Sequence, residues 1–201
     1  MSAEQRSPEW KQERCGRITA SRFVDVLSTR GTRQRYAREL AFERLSNAPM
    51  HSVSSRPLTW GIEVEPFHIE AFQLATGLIV ASAGFITHAR YPFIGCSPDG
   101  TIGTDSGVEC KSPADETVQI LTWLEGMPDE HKPQVQGSMF VTGRSHWHYS
   151  SYDPRQAEPY RLYVERIERD DTFIAYLSGS LLEFNKEVDA IVAAIKAKAG
   201  Q

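Results

Sequence analysis

The chain has 201 residues, of which 40% are hydrophobic, 10% aromatic and 24% charged, the profile of one ordinary globular domain. That excludes disorder, collagen and coiled coil as the main theme, and no run approaches the roughly 18 apolar residues of a membrane span. The N-terminal MSAEQRSPEW lacks the apolar stretch of a secretory leader, and Cys15, Cys96 and Cys110 form no CxxC pair, so a reduced, cytoplasmic protein without disulfides or a zinc site is expected.

The net charge of −4 is unevenly placed. Residues 1–60 carry 11 Lys/Arg against 6 Asp/Glu, whereas residues 61–201 carry 11 against 20. Ten of the early basic residues are arginines, the side chain best suited to bidentate phosphate contact. This split fits a protein that grips a polyanion on one side and holds cations on the other. A solvated charged helix accounts for Arg30 to Arg44 equally well.

In chain order, Trp10 to Arg14 reads as a short turn, and Thr19 or Ser21 caps a helix carrying Phe23, Val24, Val26 and Leu27. Tyr36, Leu40, Phe42 and Leu45 form the apolar face of the next helix, and Asn47 to Pro57 is a polar loop. Thr59 caps a helix with Ile62, Phe67, Ile69, Phe72 and Leu74 on its apolar face, kinked or begun by Pro66 and stopped by Gly77. Strands are expected over Leu78 to His88, Pro92 to Cys96 and Val108 to Lys111, with turns at Pro98-Asp99-Gly100 and Thr104 to Gly107. Helices at Thr117 to Leu124 and from Pro133 to Val141 precede strands at His146 to Tyr152 and Arg161 to Ile167, and Asp170-Asp171 opens a long terminal helix. The order predicts a mixed α/β domain with a small central sheet: a helical, basic segment at 1–60, a core at 61–167 and a terminal helix at 168–201.

Chemistry concentrates where Asp99 is followed, ten residues on, by Glu109-Cys110-Lys111. If Asp99 ends one strand and Glu109 lies on its antiparallel neighbour, both carboxylates meet at one end of the sheet. Alternation then puts Glu109 and Lys111 on one face, with the Cys110 side chain on the other. Two carboxylates with a main-chain carbonyl between them suit Mg²⁺, and an adjacent lysine suits a phosphoryl oxygen or a water. By itself this pattern is also what a common turn and a half-exposed strand would show. Glu65 can add a third acid, Gln134 and Gln136 can offer amides to a water or a phosphate, and Arg14, Ser21 and Ser97 suit a terminal phosphate.

The stretches GRITASRF (Gly16 to Phe23), LTWGIEVEP (Leu58 to Pro66), GCSPDG (Gly95 to Gly100), GVECKSP (Gly107 to Pro113), PQVQGSMFVTGR (Pro133 to Arg144) and YDPR (Tyr152 to Arg155) together resemble the phage lambda exonuclease family, YqaJ-type viral recombinases of the PD-(D/E)xK nuclease superfamily. The resemblance implies a restriction-endonuclease-like core and a processive 5′-to-3′ exonuclease on linear double-stranded DNA. Such an enzyme releases mononucleotides and leaves 3′ single strands for phage-type recombination. It implies Mg²⁺, replaceable by Mn²⁺ and two ions per site, held by Asp99, Glu109, the Cys110 carbonyl and, for the second ion, Glu65. It further implies Lys111 acting on the attacking water, Gln134 positioning that water, and Arg14, Ser21 and Ser97 holding the 5′-phosphate. Leu58 would be a wedge at the terminal base pair, Arg30 or Arg33 a minor-groove contact, and Gln136 a DNA contact or else a packing residue. A ring-shaped homotrimer and a single-strand annealing partner complete the implied picture. Gly137 stands where the family places an aromatic, which would remove a bulky group beside the site. Two other readings remain open: an endonuclease on the same fold, and a non-catalytic DNA-binding or annealing module. Trp10 and Trp60 are expected to be core or staple residues, with Trp60 beside Leu58 alternatively lining the DNA path, and His68, His88, His146 and His148 structural.

Overall fold

β5 (Ser106–Lys111) organises the molecule, because it pairs on one side with β4 (Gly100–Ile102) and on the other with β6 (His146–Tyr152). The structure is a computed structural model that describes residues 3–50 and 56–200. The β4–β5 hairpin is antiparallel, with Gly100 opposite Val108. β6 runs parallel to β5, with Lys111 opposite Ser151, and β7 (Leu162–Glu168) closes the four-stranded sheet antiparallel to β6. A parallel pair needs a long crossover, here α5 (Glu116–Glu125) and α6 (Lys132–Thr142). Residues 146–151 of β6 are all buried, as expected for an inner strand covered on both faces.

A second, three-stranded sheet has β3 (Ile94–Cys96) between β1 (Ile18–Thr19) and β2 (Ile86–Thr87). The strands therefore divide into two small mixed sheets rather than one, and Ala81, outside both, pairs with Thr101 at the free edge of β4. Most of the expected Leu78 to His88 strand is irregular; only Ile86–Thr87 is a strand, because Leu78 to Ala83 serves as a connection with one bridge.

The main core lies between the second sheet and the helices. α7 (Asp171–Lys198) lays Ile174, Leu177, Leu181, Phe184 and Val188 along one stripe at helical spacing. Asp170 caps it by accepting the Phe173 N–H at 2.9 Å. Against this stripe packs α3 (Arg30–Ser46), whose buried face is Tyr36, Ala37, Leu40 and Ala41. Phe42 and Leu45, expected on that face, point outward, since the two alanines permit closer helix approach than large side chains would. α1 (Pro8–Arg14) is a capped helix rather than a turn, with Ser7 accepting the Trp10 N–H.

α4 (Arg56–Thr76) begins before Thr59 and carries Pro66 in its interior, so neither the expected cap nor a first-turn proline holds. Val64, His68 and Phe72, four residues apart, face inward, whereas Phe67 and Leu74 are exposed. The inward stripe includes a histidine, which an apolar count overlooks.

Gly137 on α6 approaches α2 (Phe23–Leu27): a Cβ there would lie 2.3 Å from the Phe23 ring. Its small size therefore serves helix packing around a fully buried phenylalanine, not the space beside the site that the sequence suggested. Gly137→Ala should lower stability by about 1–3 kcal/mol through overpacking, read as a drop in Tm.

Candidate active site

The β4–β5 hairpin fixes Asp99 against Cys110: the Asp99 carboxylate accepts the Cys110 N–H at 2.7 Å. Two residues apart on β5, Glu109 and Lys111 share a face, and Lys111 Nζ donates to Glu109 Oε1 at 2.6 Å. Gln134, in the first turn of α6, donates from Nε2 to the same Glu109 oxygen at 2.6 Å, and its Oε1 accepts from Lys111 Nζ at 3.3 Å. Glu109 is only 2% exposed, so both donors hold a carboxylate that water barely reaches. Strand alternation thus assembled what the spacing predicted.

The electrostatics follow from burial. Asp99 is pushed up to about 8, first by burial and then by the charge of Glu109, despite the opposing pull of Lys111 and the Cys110 N–H. Burial alone would lower the Lys111 ammonium, but Glu109 and Asp99 outweigh it and raise its pKa. Lys111 is therefore a firmly protonated donor in this arrangement. Burial, followed by the neighbouring acids, raises the Cys110 thiol well above its ordinary range, which makes it a poor nucleophile.

These groups line a cavity of about 380 Å³ that also contains Arg14, Ser21 and Ser97. Arg14 Nη1 donates to Ser97 Oγ at 2.8 Å, and Nη2 to Ser21 Oγ at 3.5 Å. Trp10 was expected to be a packing residue, but its ring lies under the guanidinium at 4.2 Å and its Nε1 donates to Ser97 Oγ at 3.0 Å. Ser97 sits two residues before Asp99, so one segment serves both the acid cluster and the basic pocket.

Glu65 on α4 also lines the cavity and is ion-paired with Arg6. Gln136 does not reach it: its amide donates to Glu168 O at 2.8 Å and accepts the Asp170 N–H at 2.9 Å, pinning α6 to the start of α7. The DNA-contact reading of Gln136 is accordingly replaced by its packing alternative. Arg33 is held by Glu187, the Val26 carbonyl and the Phe184 ring, whereas Arg30 is exposed, so Arg30 is the freer of the two. The side chain of Leu58 lies outside the described residues.

Several early arginines serve as ties rather than as a basic face. Arg22 binds Asp25 and Glu39, Arg35 approaches Glu39, and Arg44 bonds Asp189, Asn185 and the Gly16 carbonyl. Arg33 and Arg44 pair with acids beyond residue 60, so part of the positive balance of residues 1–60 is neutralised within the fold.

Two histidines lie near the site. His68 is fully buried, lies 2.7 Å from Ser150 Oγ and 3.3 Å from Ser112 Oγ, and is lowered to about 3 by burial. It links α4 to β6 and to the residue after Lys111. His131 stacks on Tyr149 at 5.6 Å and is lowered to about 4 by burial and then by Lys111. Both are neutral at physiological pH.

Among the described residues no three acidic, imidazole or thiol groups converge as a preformed metal cage. The donor set is instead two carboxylates, Asp99 and Glu109, with the peptide carbonyl of Cys110, the residue after Glu109, which suits a hard cation that keeps waters and takes substrate oxygens as further ligands. The elevated Asp99 pKa supports the same fit, because two buried acids with one lysine leave negative charge that a divalent cation would offset.

A small mixed sheet flanked by helices, with Asp99 and Glu109-x-Lys111 joined across one hairpin, is a PD-(D/E)xK nuclease fold. The chain belongs to the YqaJ-like viral recombinase family, whose domain matches residues 9–145. It is similar to the alkaline exonuclease LHK-Exo of Laribacter hongkongensis, at 34% identity and a TM-score of 0.91, covering 96% of this chain and 98% of that one. The same enzyme in complex with dAMP aligns with a TM-score of 0.92. A phage-related exonuclease from Haemophilus somnus shares the fold at 14% identity and a TM-score of 0.71, over 89% of this chain and 96% of that one. The Escherichia coli protein ExoD is 34% identical over 75 residues, covering 37% of this chain and 85% of that protein. No helix among the described residues is long and apolar enough to cross a membrane.

Proposed function

We propose that the protein is a Mg²⁺-dependent exonuclease that digests linear double-stranded DNA from its 5′ ends, releasing 5′-mononucleotides and leaving 3′ single strands. The observation that carries this reading is the shared cavity: the acid–lysine cluster and the Arg14–Ser97–Ser21 pocket open onto one space. An endonuclease would need the first and have no use for a terminal-phosphate pocket beside it. A pure binding module would leave the buried acids unexplained, since they repel phosphate unless a cation intervenes.

Each side chain has a part. Asp99, Glu109, the Cys110 carbonyl and Glu65 would hold the divalent cations, two per site, with Mn²⁺ able to replace Mg²⁺. When bound, the cations supply Lewis-acid polarisation of the scissile phosphate and of water. Gln134 orients the attacking water through its bond to Glu109, and Lys111 donates to that water or to the phosphoryl oxygen on which charge builds. Water adds to phosphorus and gives up a proton to solvent, the P–O3′ bond breaks, and the 3′ oxygen takes a proton from solvent as it leaves. Arg14, Ser21 and Ser97 hold the new 5′-phosphate and draw the strand forward. Leu58 and Arg30 are assigned to the terminal base pair and the minor groove.

The wider role that fits is phage- or prophage-encoded recombination in the bacterial cytoplasm, as a ring-shaped trimer supplying single strands to an annealing protein.

Linear duplexes with 5′-phosphate or 5′-hydroxyl ends, and closed circles, test this directly. Digestion should be fastest with 5′-phosphate and absent on circles; cleavage of circles would favour the endonuclease. Arg14→Ala should abolish the 5′-phosphate preference, with an expected loss of about tenfold or more on phosphorylated ends, because charge-assisted bonds to phosphate contribute roughly 1.5–3 kcal/mol.

A further inference from the structure

The residues ahead of α1 form a strap over the cavity. Gln5 Nε2 donates to the Ala83 carbonyl at 3.1 Å and to the Pro98 carbonyl at 2.7 Å, tying the strap to the residue before Asp99. Arg6 then extends to the opposite wall and pairs with Glu65 on α4. Its backbone is left-handed, with φ +71°, a conformation that only Arg6 and Asn47 adopt among the described non-glycine residues. Asparagine tolerates that region through local hydrogen bonding, whereas arginine has no such relief. An unfavourable backbone held by a contact to a site residue points from strain to function.

We propose that Arg6 is a built-in counter-ion that competes with a divalent cation for the Glu65 carboxylate. The inference rests on the metal-dependent reading above and adds a residue outside the cluster of acids. Three carboxylates line the cavity. Lys111 serves Glu109, Asp99 takes the Cys110 N–H, and Arg6 serves Glu65. The pair is displaceable because its side chains are 45% and 26% exposed, and exposed ion pairs hold weakly. Arg6 occupies one Glu65 oxygen and sets a positive charge beside the carboxylate, so a cation arriving there meets a weakened acceptor and charge repulsion. The Glu65 position therefore fills after the Asp99–Glu109 position and at higher cation concentration, and filling it frees the strained strap. Gln5 keeps the strap near the cavity when Arg6 lets go.

Mn²⁺ binding to the full chain, followed by the electron paramagnetic resonance signal of free Mn²⁺ and by calorimetry, needs no turnover. Wild type should show a tighter and a weaker class of site. Arg6→Gln and Arg6→Gly should tighten the weaker class about two- to fivefold, the range an exposed pair allows. Arg6→Lys should behave as wild type, and Glu65→Gln should remove the weaker class whatever stands at position 6. Arg6→Gly suits the local φ, so it keeps the fold and guards against a merely unfolded Arg6→Gln. A weaker class unchanged in both Arg6→Gln and Arg6→Gly overturns the proposal, as does a position-6 effect that persists with Glu65→Gln. If wild type binds no Mn²⁺, or binds it undiminished in Asp99→Asn, the metal-dependent reading itself fails. Normal Asp99-dependent binding with no response to Arg6 overturns only the counter-ion role.

Discussion

Lys111→Ala is expected to lower kcat on linear duplex DNA by about 10²–10³-fold while leaving KM within a few-fold. The reasoning is local. Lys111 Nζ lies 2.6 Å from Glu109 Oε1 and 3.3 Å from Gln134 Oε1, so one ammonium organises both an acid and an amide. It stays protonated because Glu109 and Asp99 outweigh its desolvation. Its contribution is greatest when negative charge builds on the phosphoryl group, so the loss should appear in turnover rather than in binding. The substitution also leaves Glu109 buried with only Gln134 bonded to it. Without added cation the variant should therefore melt below wild type, and Mg²⁺ should narrow that gap. Wild-type turnover in Lys111→Ala would remove the lysine from the mechanism.

Asp99→Asn should abolish activity and yet stabilise the cation-free protein at alkaline pH. The folded carboxyl is raised to about 8, against about 3.9 for an aspartate in an unfolded chain. Between those values the folded state holds a proton that the unfolded state has lost. The stability contributed by this group is thus complete below about pH 4 and is lost as pH rises through 8. Asparagine removes that penalty while retaining an oxygen to accept the Cys110 N–H. Its Tm should match wild type near pH 4 and exceed it by at least about 2–4 °C at pH 8.5 without divalent cation, the shift expected for 1 kcal/mol in a chain of this size. Mg²⁺ should raise the wild-type Tm and leave the variant unmoved. Cation binding to wild type below pH 8 should release protons, so apparent affinity should climb with pH until about 8. A lower Tm for the variant at pH 8.5 would show that Asp99 is a structural anion instead.

The part of the site that lies on one hairpin was legible in the sequence. Period-2 alternation put Glu109 and Lys111 on one face, and the Asp99 turn placed the second acid beside them. Arg14, Ser21 and Ser97 converge only because β1 pairs with β3 and brings α1 over Ser97, a contact of high sequence separation that no local pattern encodes. Residues tied to partners far along the chain stay open in the sequence for the same reason. Gln136 reads as either a site amide or a packing residue, and only its bonds to Glu168 and Asp170 decide for packing, while Gly137 makes room for Phe23. Arg33 pairs with Glu187, more than 150 residues away. Apolar counting erred on α3 and α4 because the buried stripes there include two alanines and a histidine, while Phe42, Phe67 and Leu74 face solvent. His131, Trp10 and Arg6 carried no motif, and their relation to the site exists only in three dimensions.

The net charge of −4 is accounted for on the same grounds. The acids that lower it include Asp99, Glu109 and Glu65, which face the cavity, and several early arginines are internal ties. Within the cavity the positive charge is that of Arg6, Arg14 and Lys111, set among those acids.

A linear duplex labelled on one strand, at either its 5′ or its 3′ terminus, followed with Mg²⁺ and again with chelator, tests the account most directly. With Mg²⁺ the 5′ label should appear at once as mononucleotide while the 3′ label stays in long strands, and the chelator should stop both. Early release of the 3′ label, oligonucleotide products or undiminished release in chelator would contradict it.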